Sequence, residues 1–254
     1  MTAGRKAWMA VAGALLATAC ATTMVTPERS AEPPKGPVLH LGEGHFSRDN
    51  KSFRYWDKEK EVPAVCARCH TPNGLATYLK DGRNEAAPHA KNGLACTNCH
   101  ADLTTYARHP VAKVVFPGGA TVDSGDNTMN LCMTCHQGRE STASVNKAIA
   151  GMEADVPNPK LAFVHVHYFP AGATVFGTQA KVAYEYPGKT YAGRFDHVPG
   201  ASTCVACHDA HGAALKADQC GTCHQGVKTA ADFKGIRTSR GDYDGNGRED
   251  GIAR

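Results

Sequence analysis

The residues that carry chemistry in this 254-residue chain are cysteines and histidines in a repeated pattern. Cys-x-x-Cys-His occurs five times, as CARCH, CTNCH, CMTCH, CVACH and CGTCH, whereas random order at this composition gives about 0.02 copies. The five motifs use ten of the eleven cysteines, namely Cys66, Cys69, Cys96, Cys99, Cys132, Cys135, Cys204, Cys207, Cys220 and Cys223. Five copies of one pattern call for one explanation.

Three chemistries use paired cysteines. A redox dithiol needs one reactive pair, and a zinc site needs two pairs that converge on one metal ion, but neither requires a histidine directly after each pair. Covalent haem attachment does, because both thiols add to the haem vinyl groups and the adjacent histidine binds the iron. Zinc ribbons and disulfides remain the alternatives. We therefore predict five covalently attached haem c groups, with iron ligands His70, His100, His136, His208 and His224.

Eight histidines remain for the opposite side of the irons. An iron with two protein ligands is closed to substrates and suits electron transfer. His89 and His197 each precede a motif by seven residues, with a glycine between, so we expect one kind of loop to supply a ligand twice. His211 lies too near His208 to bind the same iron and is expected to reach a neighbouring haem. The predicted distal ligands are His45, His89, His167, His197 and His211, with a surface or hydrogen-bonded role as the alternative; that role is expected of His40, His109 and His165.

The start of the chain predicts export. Two basic residues precede an apolar run from Ala7 to Ala19 that is too short to span a bilayer, which is typical of a secretory signal peptide. Cys20 follows small residues and resembles a bacterial lipoprotein box, although Ala17 stands where leucine is usual. We predict a signal peptide at 1–19, a lipidated Cys20 with a flexible tether at 20–37, and a pentahaem domain at 38–254. A plain secreted protein is the alternative.

Composition predicts a domain built around its cofactors. About 43 residues are available per haem, and aromatic residues make up only 7% of the chain, so the haems are expected to form much of the core. The predicted fold is mostly irregular and loop-rich, with short α-helices and a small β-hairpin. We expect the hairpin where Val182, Tyr184 and Tyr186 alternate before Pro187. Its tyrosines could pack locally or dock a neighbouring subunit.

Helix signals are local. Pro63 should begin a helix that carries Cys66 to His70, and a second short helix should run from Asn73 to Lys80. The third motif is expected to open a longer helix with Val145, Ile149 and Met152 on one face.

Charge and the C-terminal stretch give weaker signals. The formal charge of +4 includes two residues of the predicted signal peptide, and no basic run is present, so nucleic acid is not an expected partner. DYDGNGREDG resembles an EF-hand loop, but its twelfth position is Ala253 instead of glutamate. A plain polar turn is the alternative to a calcium site. The candidate calcium ligands are Asp242, Asp244, Asn246 and Asp250.

Segments outside the motifs carry a more specific signal. CMTCHQGRES (132–141), HYFPAGATVFGT (167–178), AYEYPGKTYAGRF (183–195) and CHDAH (207–211) resemble the multihaem c-type cytochromes exported by metal-reducing bacteria, including those that polymerise into extracellular filaments. The resemblance extends from about Gly44 to Gly251. It implies a continuous chain of haems, and in filament formers one distal histidine can come from the next subunit. Those proteins often continue beyond the point where this sequence stops.

The resemblance and the motifs together predict an electron carrier and not an enzyme. Expected partners are other cytochromes or extracellular electron acceptors, further copies of the chain in a filament, and a membrane reached through the lipid anchor. The expected location is the outer membrane, the cell surface or the extracellular space. A multihaem reductase with one open haem is the alternative, although the Cys-x-x-Cys-Lys motif found in many pentahaem nitrite reductases is absent from the sequence. A structural filament or matrix protein is a third reading.

Overall fold

Short helices supply most of the regular structure, and several coincide with the cysteine motifs. The computed structural model describes residues 44–47, 51–88, 93–153 and 155–236, together with Asp242, Gly245 and Gly247. All of them belong to the compact unit Leu39–Arg254. The helices are α1 (Lys51–Arg54), α2 (Ala64–His70), α3 (Gly74–Asp81), α4 (Asn127–Met133), α5 (Thr142–Ala148), α6 (Ala171–Phe176), α7 (Cys204–Cys207) and α8 (Ala217–Cys220), with 3-10 turns at Gly44–Phe46, Cys96–Asn98, Gly177–Gln179 and Ala230–Gly235.

The helices at the first motif form as their sequence predicts. Pro63 is the N-cap of α2, since its fixed φ suits a helix start and it has no backbone donor to lose. The next helix, α3, follows Asn73 and ends at Gly82, whose left-handed backbone (φ 71°) closes the last turn. The predicted helix at the third motif is wrong in its boundaries. Helix α4 ends inside the motif, and α5 begins separately behind a capping box at Ser141.

Two small antiparallel sheets complete the regular structure among the described residues. Strand β1 (Glu61–Val62) pairs with β2 (Ala87–Pro88), and β3 (Val114–Val115) pairs with β4 (Thr121–Val122). The second pair is a hairpin, with Val114 opposite Val122 and Val115 opposite Thr121. Short helices, small sheets and long loops confirm the predicted loop-rich fold class.

The hairpin predicted at 182–191 is wrong. This stretch contains a turn, in which the Lys189 N–H donates to the Tyr186 carbonyl at 3.2 Å, and a single bridge between Ala183 and Ser141. Two of its backbone donors are taken by another segment: Ala183 N–H donates to the Glu140 carbonyl at 2.9 Å, and Glu185 N–H donates to Thr142 Oγ1 at 2.8 Å. Across the turn, the Tyr186 N–H donates to the Tyr191 hydroxyl at 2.8 Å, which is a side-chain contact and not a strand pairing. The segment therefore turns without forming a β-ladder and packs against the start of α5.

The apolar core gathers around α4 and the β3–β4 hairpin. Its buried members are Leu75, Val111, Val114, Phe116, Val122, Met129, Leu131, Met133, Phe176 and Ala180. Cys99, Cys135 and Cys204 pack against this cluster, so three motifs rest directly on the core.

One buried polar side chain ties the hairpin to α4. Asn130 is 1% exposed; its Nδ2 donates to the carbonyls of Val111 and Ala112, both at 2.9 Å, and its Oδ1 accepts from the Ser124 N–H at 3.0 Å. A buried amide with both ends bonded fixes the position of the helix that carries the third motif.

The N-terminal predictions lie outside the described residues. These are the signal peptide, Cys20 and the tether at 20–37. Within the part of the chain that the structure describes, no helix is both long enough and apolar enough to span a bilayer.

Candidate haem-binding sites

Each cysteine motif folds into a single helical turn. In the second to fifth motifs the histidine N–H donates to the carbonyl of the first cysteine at 2.8–3.0 Å, and the first motif lies within α2. A helical turn brings positions i, i+3 and i+4 to one side, so each pair of thiols and its histidine share a face. All ten motif cysteines are free thiols. Each turn therefore presents the side chains that haem attachment requires.

Four motif histidines each face a second imidazole brought from a distant part of the chain. The ring centres are 5.9 Å apart for His70 and His167, 6.3 Å for His100 and His211, 6.0 Å for His136 and His45, and 6.0 Å for His224 and His197. Metal–nitrogen bonds of about 2 Å place the centres of two imidazoles that share one metal ion about 6 Å apart. The spacing of the four pairs therefore fits an iron atom held between each pair.

The one motif histidine outside these four pairs is His208, in the fourth motif CVACH. The remaining predicted distal ligand, His89, lies outside the described residues, as does His40. His211 faces the second motif, and it lies on a loop closed by the hydrogen bond from Asp209 N–H to the Ala214 carbonyl at 2.8 Å. It is thus carried by a loop that brings it to a motif other than its own.

Backbone carbonyls orient four of the paired imidazoles. Nδ1 of His70 donates to the Ser52 carbonyl at 3.0 Å, and Nδ1 of His100 donates to the Tyr106 carbonyl at 2.7 Å. Nδ1 of His136 donates to the Phe169 carbonyl at 3.3 Å, and Nδ1 of His45 donates to the Ala210 carbonyl at 3.0 Å. A carbonyl oxygen only accepts, so Nδ1 carries the proton and Nε2 keeps its lone pair for a metal. Such a bond also fixes the ring and raises its basicity as a ligand.

The histidines expected to be non-ligands are bonded differently. Nε2 of His109 donates to the Thr97 carbonyl at 2.9 Å, so the nitrogen that keeps its lone pair in the four oriented rings carries a proton here. Nδ1 of His165 accepts from the backbone N–H of His167 at 2.8 Å. Both histidines are hydrogen-bonded, and their role as non-ligands stays a prediction.

Burial favours the neutral form of three paired imidazoles. Loss of hydration lowers the pKa of His70, His136 and His167. At His136 the neighbouring His45 lowers the pKa further. A neutral imidazole is the form that binds a metal, so these rings are prepared for ligation near neutral pH.

Thiols of different motifs meet at the third motif. A hydrogen bond with Cys135 lowers the pKa of Cys69 to about 7, and a hydrogen bond with Cys132 lowers the pKa of Cys204 to about 7. The partner thiols, Cys135 and Cys132, have raised pKa values for the same reason. The third motif therefore contacts both the first and the fourth.

Aromatic rings and a cation that sequence reasoning missed lie beside the paired imidazoles. Trp56 lies 5.1 Å from His70, and Phe46 stacks on His211 at 5.6 Å, measured between ring centres. The Arg139 guanidinium is close enough to lower the pKa of both His70 and His167. Arg139 lies in the segment CHQGRES, which resembles other multihaem cytochromes beyond the cysteine motif itself. That resemblance was the sequence signal that could have identified Arg139.

The candidate calcium loop is described only in part. The Asp242 carboxylate accepts the N–H groups of Gly245 and Gly247, both at 2.8 Å. Asp244, Asn246 and Asp250 lie outside the described residues. Calcium binding stays a prediction.

Motif turns with facing imidazoles on a loop-rich fold define a multihaem c-type cytochrome, and the comparisons agree. The chain is 30% identical to the C-type polyheme cytochrome OmcB of Geobacter sulfurreducens in an alignment that covers 68% of this chain and 30% of OmcB. It is 28% identical to the C-type polyheme cytochrome OmcC of the same species in an alignment that covers 68% of this chain and 29% of OmcC. The chain is thus homologous to Geobacter polyheme c-type cytochromes and spans less than a third of their length. No protein-family model and no solved structure matches it.

Proposed function

We propose that this chain is an exported electron carrier that holds five haem c groups, each bound by two histidines, and passes electrons to an outer acceptor. The observation that carries the proposal is the set of four facing imidazole pairs with ring centres 5.9–6.3 Å apart. Bound haem supplies one-electron redox chemistry at its iron.

The side chains of this protein perform three tasks in the proposal. The ten motif thiols would attach the cofactors covalently, and each pair of facing imidazoles would hold one iron. Four carbonyls hold Nδ1–H groups and so keep Nε2 aimed at the metal. Two imidazoles per iron leave no position for a substrate, which suits transfer and not catalysis.

The fifth pair completes the ligand set. We assign His89 as the distal ligand opposite His208, because it is the predicted distal histidine that remains after the four observed pairs. This assignment gives each motif its own distal histidine within one chain. A filament with exchanged histidines between subunits is therefore not required, although copies of the chain could still associate.

The N-terminal sequence and the homology support a proposal for the location and the partners. We propose that the signal peptide directs export and that lipidated Cys20 anchors the protein in the outer membrane or at the cell surface. Other cytochromes or extracellular electron acceptors are then the proposed partners.

Mass spectrometry and carbon monoxide binding test this function on the purified holoprotein. The expected mass is that of the mature chain with five haems, and the reduced protein should bind carbon monoxide at far less than one haem per chain. A mass corresponding to fewer haems would contradict the cofactor count. One haem that binds carbon monoxide stoichiometrically would favour the reductase alternative.

A further inference from the structure

The segment HVHYFP, residues 165–170, holds an unusual backbone conformation beside two of the imidazole pairs. His167 has φ 83° and Phe169 has φ 51°, which is the left-handed region that side-chain-bearing residues rarely adopt. Such a conformation persists only where neighbouring groups hold it. The contacts that hold this segment therefore decide where the His167 imidazole points.

Contacts with the third motif hold both flanks of the segment. The Arg139 N–H donates to the Val166 carbonyl at 2.9 Å, and Nδ1 of His136 donates to the Phe169 carbonyl at 3.3 Å. Neither bond reaches His167 itself. The backbone N–H of His167 is bonded by the imidazole of His165, at 2.8 Å from Nδ1.

Two aromatic side chains lie beside the exposed His165 ring. Its centre lies 4.7 Å from the Tyr168 ring and 5.6 Å from the Phe163 ring, with which it makes an edge contact at 84°. Both neighbours are themselves largely exposed, so the hydrogen bond from the His167 N–H is the polar contact that ties the ring to the backbone. With Nδ1 used as an acceptor, His165 acts on the backbone and not on a metal.

We propose that His165 is a positioning residue for the first haem centre. Its Nδ1 holds the backbone N–H of His167 and thereby maintains the left-handed conformation that aims the His167 ring at His70. The inference rests on the proposed function, in which His70 and His167 bind one iron. A histidine that the sequence marks as a non-ligand thus supports a ligand two residues away.

Four variants of the full-length holoprotein separate this role from general stability: His165→Ala, His165→Asn, His167→Ala and Asn158→Ala. Asparagine is the conservative replacement, since its side-chain oxygen bonds the N–H two residues further along in Asx turns. Asn158→Ala is the matched control, because the Asn158 side chain also accepts the backbone N–H two residues further along, that of Lys160 at 2.9 Å, at an exposed position outside the motifs and the imidazole pairs. Haem content is first verified as five per chain by mass spectrometry. The readouts are carbon monoxide bound per reduced chain and the low-spin ferric signal in electron paramagnetic resonance.

We expect His167→Ala to bind one carbon monoxide per chain and to lose one low-spin centre. His165→Ala should bind at least tenfold more carbon monoxide than the wild type at that single centre, and His165→Asn should return to within about twofold of it. Asn158→Ala should match the wild type.

The outcomes distinguish the two levels of inference. If His167→Ala opens no haem, the proposed function fails at this centre. If His167→Ala opens one haem while His165→Ala matches Asn158→Ala, the positioning role is refuted and the proposed function stands. If His165→Asn opens the haem as fully as His165→Ala, the hydrogen bond is not what positions His167, and the inference is overturned.

Discussion

Individual hydrogen bonds leave different ring nitrogens available in different histidines. In His45, His70, His100 and His136, Nδ1 is committed to a carbonyl and Nε2 is left for a metal. His109 has the opposite arrangement, with Nε2 bonded to the Thr97 carbonyl. The backbone carbonyl bonds to Nδ1 in one group of histidines and to Nε2 in the other, so the same residue type is prepared for two different roles.

A ligand exchange at His211 tests this at a single residue. His211→Met should keep its centre low-spin and raise its midpoint potential by on the order of 0.1 V, because a thioether favours the reduced iron and axial ligands span a range of about 0.8 V. His211→Ala should instead leave one centre that binds carbon monoxide. Potentiometric titration followed by optical spectra measures both variants. A titration curve that overlays the wild type would exclude His211 as a ligand.

At the scale of elements, turns and loops position the imidazoles more than helices do. The 3-10 turn Gly44–Phe46 lies directly on the loop that carries His211. His45 N–H donates to the His211 carbonyl at 3.3 Å, and Nδ1 of His45 donates to the Ala210 carbonyl at 3.0 Å. Gly44 permits this approach, since a Cβ there would lie 2.4 Å from the Gly212 carbonyl carbon.

Substituting Gly44 should therefore disturb more than its own turn. Gly44→Ala combines left-handed strain at φ 54° with a backbone clash, whereas Gly82→Ala at φ 71° has no atom within 4 Å of the new Cβ. We expect Gly82→Ala to lower the free energy of unfolding by about 1–2 kcal/mol. Gly44→Ala should cost roughly 1–3 kcal/mol more through overpacking. Guanidinium unfolding of the two holoproteins measures the difference, and equal losses would show that the close approach is unimportant.

Local sequence signals predicted local structure well and long-range structure poorly. Pro63 and the spacing of the first motif placed α2 correctly, because a helix start depends on neighbouring residues. The tyrosine-rich hairpin failed because Glu140 and Thr142, distant in sequence, accept the N–H groups that a hairpin would use. Residue type and spacing selected His167 and His211 as distal candidates, but which motif each one faces depends on folding across about a hundred residues. The buried amide of Asn130 had no sequence signal, since its value depends on carbonyls brought to it by the hairpin.

At the scale of the whole molecule, and among the residues that the structure describes, the third motif joins the core to two other motifs. Its helix α4 supplies Met129, Leu131 and Met133 to the core, and its two thiols contact those of the first and fourth motifs. The fifth motif has a smaller role in packing, since Ala217 is the only buried residue of α8. Loss of a haem should therefore have different consequences at these two places.

Paired cysteine variants compare the two positions. Cys220→Ser with Cys223→Ser should give a folded protein with four haems. Cys132→Ser with Cys135→Ser should leave little folded holoprotein, because a missing cofactor there removes packing from the centre of the core. Haem per chain and the thermal unfolding midpoint of the soluble fraction are the measurements. Two four-haem proteins with the same midpoint would contradict a central role for the third motif.

In three of the four facing pairs the imidazoles lie roughly 90 to 110 residues apart along the chain, which also constrains how the protein is made. With the proposed export from the N-terminus, the chain would present CARCH to the attachment machinery long before His167 has crossed the membrane. If the proposed ligand pairs are right, the first haem to be joined has to wait half coordinated while much of the chain is still inside. Biogenesis would then include an interval in which a nascent cytochrome holds reactive iron, and that interval ends only when late-arriving histidines close the earliest sites.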